Sequence, residues 1–229
     1  MNSQFAQATD LLYVSTQFGN VMTYDVSLNT ASAVAASGSL FSSGYGNAYG
    51  IAFDKTGNLY VSNEASRIYR IDSSGNGSVF ATAGLNVPWG LAFDAAGNLY
   101  AANLYGNNVT RYDSSGNLIG GVPFVSGLAS GPIGLAFDTS GNLYVARGAG
   151  GNTITRYDSS GNLIGGGPFA VGAELVAWGL DFDSAGNLYA ANYSYNTITR
   201  YDSSGNQIGD NYITTGLNKP QEFAFDSRG

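Results

Sequence analysis

The sequence contains no cysteine and no histidine among its 229 residues. Without cysteine there can be no disulfide, no iron–sulfur cluster and no thiol nucleophile. Without histidine the commonest general base, the Ser-His-Asp triad and imidazole metal ligands are all excluded. Acid–base chemistry in this chain would therefore have to use carboxylates.

Positive charge is also scarce. Nine Lys and Arg residues stand against 16 Asp and Glu residues, which gives a net charge of −7 and a pI near 4.3. Nine cationic side chains are too few to neutralise a phosphate backbone. We therefore expect no nucleic-acid partner and no binding to anionic membranes. No apolar run approaches the roughly 18 residues that a membrane span needs.

The amino terminus, MNSQFAQA, lacks the basic and apolar regions of a signal peptide. The composition is nevertheless poor in Lys, rich in Gly, Asn, Ser and Tyr, and free of Cys. This composition favours a secreted or cell-surface bacterial protein, with the export signal absent from this chain.

What the sequence does contain is a repeat. A segment of the type Gly-Ile/Leu-x-Phe-Asp occurs five times, with a period of 40 to 45 residues. The copies begin at Gly50, Gly90, Gly134, Gly179 and Glu222. This period, with several short strands per unit, is typical of a propeller blade. Helical repeats are excluded because no window carries an apolar i, i+3, i+4, i+7 stripe.

Each repeat contains four strand candidates, for example residues 134–138, 142–146, 153–158 and 168–173. Asp-x-x-Gly-Asn joins the first two, and Asp-Ser-Ser-Gly-Asn joins the last two. In such a turn Asp accepts backbone N–H bonds and Gly adopts positive φ. We interpret these motifs as turns because they lack the D-x-D-x-D-G spacing of calcium loops.

Taken in order, the P-x-G-[IL]-A-F-D, G-N-L-Y-V-A-N and N-x-I-x-R-Y-D segments resemble the NHL repeat of β-propellers, over nearly the whole chain. The third segment departs from the common pattern by ending in Thr-Arg-Tyr-Asp. The resemblance implies an all-β propeller of the type that bacteria export. It implies no single function, because the family includes binding platforms, lyases and hydrolases.

We predict one propeller domain over residues 1–229, with five four-stranded blades. Four blades are expected at about residues 50–85, 90–128, 134–175 and 179–217. The remaining blade is the amino-terminal one, which combines residues 10–40 with the carboxy-terminal strand at 221–226. This strand fills the place of the blade's missing first strand and so closes the ring within one chain, as a monomer. The alternative is a piece of a longer propeller.

The loops before the first strands and between the second and third strands open on one face, and they differ most between repeats. We call this the loop face. Its candidate ligand-binding residues are Trp89, Trp178, Tyr49, Tyr105, Tyr193, Tyr195, Asn103 and Asn192. Aromatic rings with amides between them suit a glycan or a peptide. The alternative is that the two tryptophans fill the top of a narrow central channel.

Two acidic residues break the repeat. Asp181 stands where Ala92 and Ala136 stand in other copies, and Glu222 replaces the first glycine. Together they could hold a hard cation such as Ca²⁺, as the resemblance to calcium-dependent propeller lactonases implies. The alternative is that polar residues in the channel bind water.

Four arginines occupy one position in successive repeats: Arg70, Arg111, Arg156 and Arg200. They could form a cationic ring for an anion. Strand alternation instead places them on a face that packs against the neighbouring blade, so we predict structural pairs with turn aspartates.

The leading functional hypothesis is a non-enzymatic, secreted binding module whose loop face contacts a glycan, a peptide or a protein. One alternative is a metal-dependent hydrolase or lactonase that uses Asp181 and Glu222. Another is a purely structural repeat scaffold, natural or engineered. An activity like that of streptogramin lyases is disfavoured because no histidine can act as the base. The sequence identifies no catalytic residue.

Overall fold

The computed structural model describes residues 11–15, 21–25, 39–148, 151–172, 175–221 and 223. Within these ranges the regular structure is β-strand apart from one turn of 3-10 helix at Ile119–Gly121. No helix in the described part is long and apolar enough to cross a membrane.

The strands form five antiparallel sheets, each in chain order. The first contains β1 (Leu11–Ser15), β2 (Val21–Asp25) and β3 (Ser39–Ser42). The second contains β4 (Ala48–Phe53), β5 (Leu59–Asn63), β6 (Arg67–Ile71) and β7 (Gly77–Ala81). The third contains β8 (Pro88–Phe93), β9 (Leu99–Asn103) and β10 (Asn108–Tyr112). The fourth contains β11 (Pro132–Phe137), β12 (Leu143–Arg147), β13 (Thr153–Tyr157) and β14 (Ala170–Val171). The fifth contains β15 (Ala177–Phe182), β16 (Leu188–Asn192) and β17 (Thr197–Tyr201).

These sheets confirm the all-β prediction and the assignment of short antiparallel strands to each repeat. The fourth strand is weaker than expected in the third and fifth sheets, where isolated bridges such as Val109–Val125 and Ile198–Ile213 replace it. Of the segment predicted to close the ring, 221–226, only Gln221 and Phe223 lie within the described residues. The five-bladed closure therefore stays a prediction.

The aspartate turns have the predicted chemistry. Oδ1 of Asp54 accepts the backbone N–H groups of Thr56 and Asn58, each at 2.9 Å, and Asn58 Nδ2 donates to Oδ2 at 2.8 Å. Gly57 follows at φ 85°. The bond from the Asn backbone N–H recurs at Asp72, Asp94, Asp113, Asp138, Asp158, Asp183 and Asp202. These motifs are therefore turns that bind their own backbone.

The hydrophobic core lies between successive sheets. Tyr60 of the second sheet packs with Leu99 and Tyr112 of the third, and its ring meets Phe80 and Phe93 edge-on at 4.9 and 5.0 Å. Equivalent clusters pair Tyr100 with Phe124 and Phe137, and Tyr144 with Phe169 and Phe182. The third and fourth sheets are buried on both faces because each packs against two neighbours.

Glycine allows the first strands to approach one another closely. A Cβ atom on Gly50 would collide with the carbonyl oxygen of Trp89, and one on Gly90 would collide with that of Ile133. The strands β4, β8 and β11 therefore pass one another at backbone contact distance, where no side chain fits. The glycine that opens each repeat segment brings these strands together.

Candidate functional site

Four aromatic side chains of the loop face form a continuous row: Tyr49, Trp89, Trp178 and Tyr193. Tyr49 stacks on Trp89 with ring centroids 4.4 Å apart, Trp89 meets Trp178 edge-on at 4.7 Å, and Trp178 stacks on Tyr193 at 3.9 Å. We call these four residues the aromatic row. They pack on one another, which favours the channel-filling alternative for the two tryptophans.

Both tryptophans stand directly before the glycine of a first strand, Trp89 in the third sheet and Trp178 in the fifth. The fourth sheet has Ile133 at this position, and it is buried. Lys219 extends the row, with its Nζ 5.5 Å from the Tyr193 ring centroid. The centre of the loop face is therefore filled by its own aromatic side chains, and ligand binding at this face stays a prediction.

Tyr105 and Tyr195 lie on the same loops but are not part of the row. Their side chains are 70% and 44% exposed. Their exposure is compatible with the predicted contact to a ligand. That contact stays a prediction.

Asn103 and Asn192 lie elsewhere than expected. Both are completely buried. Asn103 accepts the backbone N–H of Asn86 at 3.1 Å and donates to Thr110 Oγ1 at 3.0 Å, while Asn192 donates to Thr197 and Thr199, each at 3.2 Å. Asn103 thus holds the loop at Asn86 from inside, and Asn192 binds strand β17, because a polar side chain at the end of a buried strand needs internal partners. They do not reach the loop surface.

The carboxylate of Glu64 is the acidic group that the loop face presents within the described ranges. It follows β5 and accepts Asn47 Nδ2 at 2.6 Å, while its backbone N–H donates to the Asn47 carbonyl at 3.1 Å. Burial raises the pKa of Tyr49, and the nearby charge of Glu64 raises it further. From the sequence, Glu64 is a loop-face residue without an assigned role, although the corresponding loop positions Leu104, Gly148 and Tyr193 carry no acid.

Asp181 lies on β15, half-buried, and its Oδ1 accepts the backbone N–H of Phe182 at 2.9 Å. Its counterpart Ala136 packs toward the following sheet. Glu222, its predicted partner, lies outside the described residues. Across the described ranges no three acidic residues come together as a metal site. Because Glu222 is not described, the cation site at Asp181 and Glu222 stays a prediction, and we derive no reaction step through a metal.

Three of the four repeated arginines lie against aromatic rings. The Cζ atom of Arg111 lies 5.1 Å from the Phe124 ring, that of Arg156 lies 5.5 Å from the Phe169 ring, and that of Arg200 lies 5.2 Å from the Tyr212 ring. All three Nε atoms are buried without a hydrogen-bond partner. The predicted structural role is compatible with this burial, but the partners of these three arginines are aromatic rings, and Arg156 Nη1 also donates to the Tyr144 hydroxyl at 3.4 Å.

No protein-family model matches the chain, and no curated protein matches it. Solved structures do. A gluconolactonase from Xanthomonas campestris is 20% identical with a TM-score of 0.72, over 93% of this chain and 75% of that one. Virginiamycin B lyase from Staphylococcus aureus is 17% identical with a TM-score of 0.64, over 95% and 74%.

A streptogramin B lyase structure is 17% identical with a TM-score of 0.63, over 76% of this chain. This chain spans 57% of that lyase's length. A variant of the S. aureus lyase in which a histidine is replaced by alanine is named as catalytically inactive.

At these identities the likeness shows a β-propeller type of fold, without singling out NHL repeats. The similar structures carry the names of enzymes. This comparison favours the lactonase-like alternative, and the prediction of a non-enzymatic binding module is therefore wrong.

Proposed function

We propose that this chain is a lactonase-like hydrolase that opens the ester ring of a small, polar lactone at the loop face. The observation that carries the proposal is the position of Glu64, a carboxylate beside Tyr49 and the aromatic row, on a fold similar to that of a gluconolactonase. The fold alone would allow many activities. The carboxylate supplies the chemical group that hydrolysis needs.

The proposed reaction begins with a water molecule that attacks the lactone carbonyl while the Glu64 carboxylate accepts its proton. The ester C–O bond then breaks, and the ring oxygen takes that proton back from Glu64 as it leaves. The product is a hydroxy acid, so atoms and charge balance without a further reactant.

Two neighbours support this role. The hydrogen bond from Asn47 fixes the orientation of the Glu64 carboxylate. The phenol of Tyr49 is protonated at neutral pH, as an ordinary tyrosine is, and in the proposed reaction it donates a hydrogen bond to the oxyanion that forms during attack. The exposed surface of the aromatic row offers a plane on which a lactone ring can stack.

A lyase activity is the second candidate, because two of the similar structures are named as lyases. Replacing a histidine inactivates the S. aureus lyase, and this chain contains none. The same reaction would therefore need a different base here, which favours the hydrolase.

We also propose the finer architecture: five blades, built from NHL-type repeats and closed by residues 221–226. In its support, the first sheet has three strands, of which β1 and β2 match the second and third strands of the other repeats. Removal of residues 221–229 should then abolish cooperative unfolding or cause oligomerisation. A truncated monomer with unchanged Tm would overturn the closure.

Secretion stays a proposal from composition.

The function is tested by titrating acid release from a panel of γ- and δ-lactones in ¹⁸O water. A hydrolase gives a carboxylate that carries one ¹⁸O atom at a rate proportional to protein concentration. A product with a new double bond and no ¹⁸O would indicate a lyase. Rates equal to spontaneous hydrolysis across the panel would overturn the proposal.

A further inference from the structure

A cavity lies in the seam between the third and fourth sheets, and neither Glu64 nor the aromatic row lines it. Its volume is about 520 Å³. We call it the arginine cleft. Its apolar walls are Phe124, Val125, Leu128, Leu163 and Pro168. This volume lies within the range of roughly 300–1,000 Å³ that small-molecule sites have.

Arg147 is the charged side chain that lines this cleft. It stands at the end of β12, where the other repeats have Asn63, Asn103 and Asn192. No acidic residue lines the cleft within the described ranges. In a chain of net charge −7, a cation without an acidic neighbour in an apolar cavity needs an explanation.

The guanidinium is held in place at one edge. Its Nε donates to Thr153 Oγ1 at 2.8 Å, and its Nη2 donates to the same oxygen. A guanidinium has five N–H donors in a fixed plane. Two of these donors are bound by the Thr153 hydroxyl. These two bonds orient the guanidinium and leave its positive charge without a counter-charge.

The arginine stem is enclosed by its loop. A Cβ atom at Gly151 would lie 2.5 Å from Ser130 Oγ and 2.6 Å from Arg147 Cβ, so no side chain fits there. The hydroxyl of Ser130 is buried without a hydrogen-bond partner. The side chain is thus oriented by Thr153 and packed by Gly151, as a preorganised binding group would be.

The chain contains a matched comparison. The seam between the fourth and fifth sheets holds a cavity of about 440 Å³, which we call the sister cleft. The two cavities share repeat positions: Gly127 and Gly172, Thr155 and Thr199, Tyr157 and Tyr201. At the repeat position of Arg147 the fifth sheet has Asn192, which is buried and does not line the sister cleft, whose charged lining residue is Asp210.

We propose that the arginine cleft is a binding site for a small organic carboxylate with an apolar body. The planar guanidinium matches the two oxygens of a carboxylate, and the apolar walls cover the rest of the molecule. The site is independent of the proposed hydrolase and binds its ligand without a chemical step.

The test is a ¹H–¹⁵N NMR titration with benzoate, and with benzamide as its uncharged analogue. Benzoate should shift the backbone signals of Ser126 and Leu128 and the Nε–H signal of Arg147, with an affinity at least tenfold above that of benzamide. The sister-cleft signals of Thr199 and Thr214 should stay unchanged.

Two variants complete the experiment. Arg147→Asn introduces the residue that other repeats carry and should weaken benzoate binding tenfold or more, with benzamide binding unchanged. Arg147→Lys keeps the charge without the planar fork and should be intermediate. The proposal is overturned if benzoate does not bind, if Arg147→Asn binds it equally well, or if sulfate competes with it on equal terms.

Discussion

Trp89 and Trp178 meet edge-on, with ring centroids 4.7 Å apart and planes at 69°, although their sheets are not neighbours in the fold. The fourth sheet lies between them in chain order. This contact brings together two first strands that pack on opposite sides of β11. The aromatic row is therefore both a packing element and one wall of the proposed reaction site.

Replacing Trp89 and Trp178 together by Ala should lower stability. Loss of each half-buried indole should lower the free energy of unfolding by about 1–3 kcal/mol, because the ring contacts and the packing are both lost. The double variant should also raise the KM for a lactone about tenfold. Calorimetry and kinetics on one preparation measure both effects. Tyr105→Ala, at an exposed ring, is the control and should leave Tm unchanged. An unchanged Tm in the double variant would show that the row does not hold the strands together.

Gly90→Ala should prevent stable folding or lower Tm strongly. The added Cβ would overlap the carbonyl oxygen of Ile133 on the next first strand, where backbone cannot move aside. Gly167→Ala is the matched control, because nothing lies within 4 Å of a Cβ at that position. Chemical denaturation of both variants compares them. Equal midpoints would contradict the close approach of β8 and β11.

Arg156→Ala should destabilise the protein by about 1–2 kcal/mol, because its guanidinium lies over the Phe169 and Tyr144 rings at 5.5 and 5.9 Å. Arg70 occupies the same repeat position but is exposed. Arg70→Ala should therefore lower the free energy of unfolding by less than half as much as Arg156→Ala does. Urea unfolding of both variants makes the comparison. A larger loss for Arg70→Ala would show that the rings are not the stabilising partners.

The aspartate turns should make the protein sensitive to acid. Burial alone would raise the pKa of Asp54, but hydrogen bonds from Asn58 and Thr56 outweigh it and lower the pKa from 3.8 to about 2. The pKa values of Asp113 and Asp158 are also lowered, by bonds from Asn117 and Asn162.

A carboxylate whose pKa is lower in the folded state stabilises the fold above its ordinary pKa. This stabilisation is lost as the pH falls through the folded value. The Tm should therefore fall between pH 4 and about pH 2. Asn58→Ala should lower the Tm at pH 6. The difference between the Tm values at pH 6 and pH 2 should be smaller in this variant than in the parent protein. A Tm that is constant from pH 5 to pH 2 would contradict this.

Much of the fold could be predicted from local chemistry. The Asp-Ser-Ser-Gly-Asn turns and the five-residue apolar segments determine where strands begin and end, and β13 and β17 fall where Thr-Ile-Thr-Arg-Tyr predicts them. The short fourth strands were less predictable. Segments such as Pro123–Val125 have few residues to pair, so their bonding depends on how the neighbouring sheet packs.

The candidate site was harder to predict because burial is a tertiary property. Asn103 and Tyr105 are neighbours in sequence, yet one is completely buried and the other is 70% exposed. Arg156 lies near a turn aspartate in sequence, and only packing shows that Phe169 is its partner. Glu64 became a candidate once its contact with Asn47 and its proximity to Tyr49 were visible.

The most direct measurement is the rate of acid release from glucono-δ-lactone, corrected for spontaneous hydrolysis, for the parent protein, Glu64→Gln and Asp181→Asn. Loss of the general base should lower kcat by about 10²-fold or more in Glu64→Gln at unchanged Tm, while Asp181→Asn retains activity and EDTA has no effect. Full activity in Glu64→Gln, or activity that depends on Asp181 and is abolished by EDTA, would contradict the account.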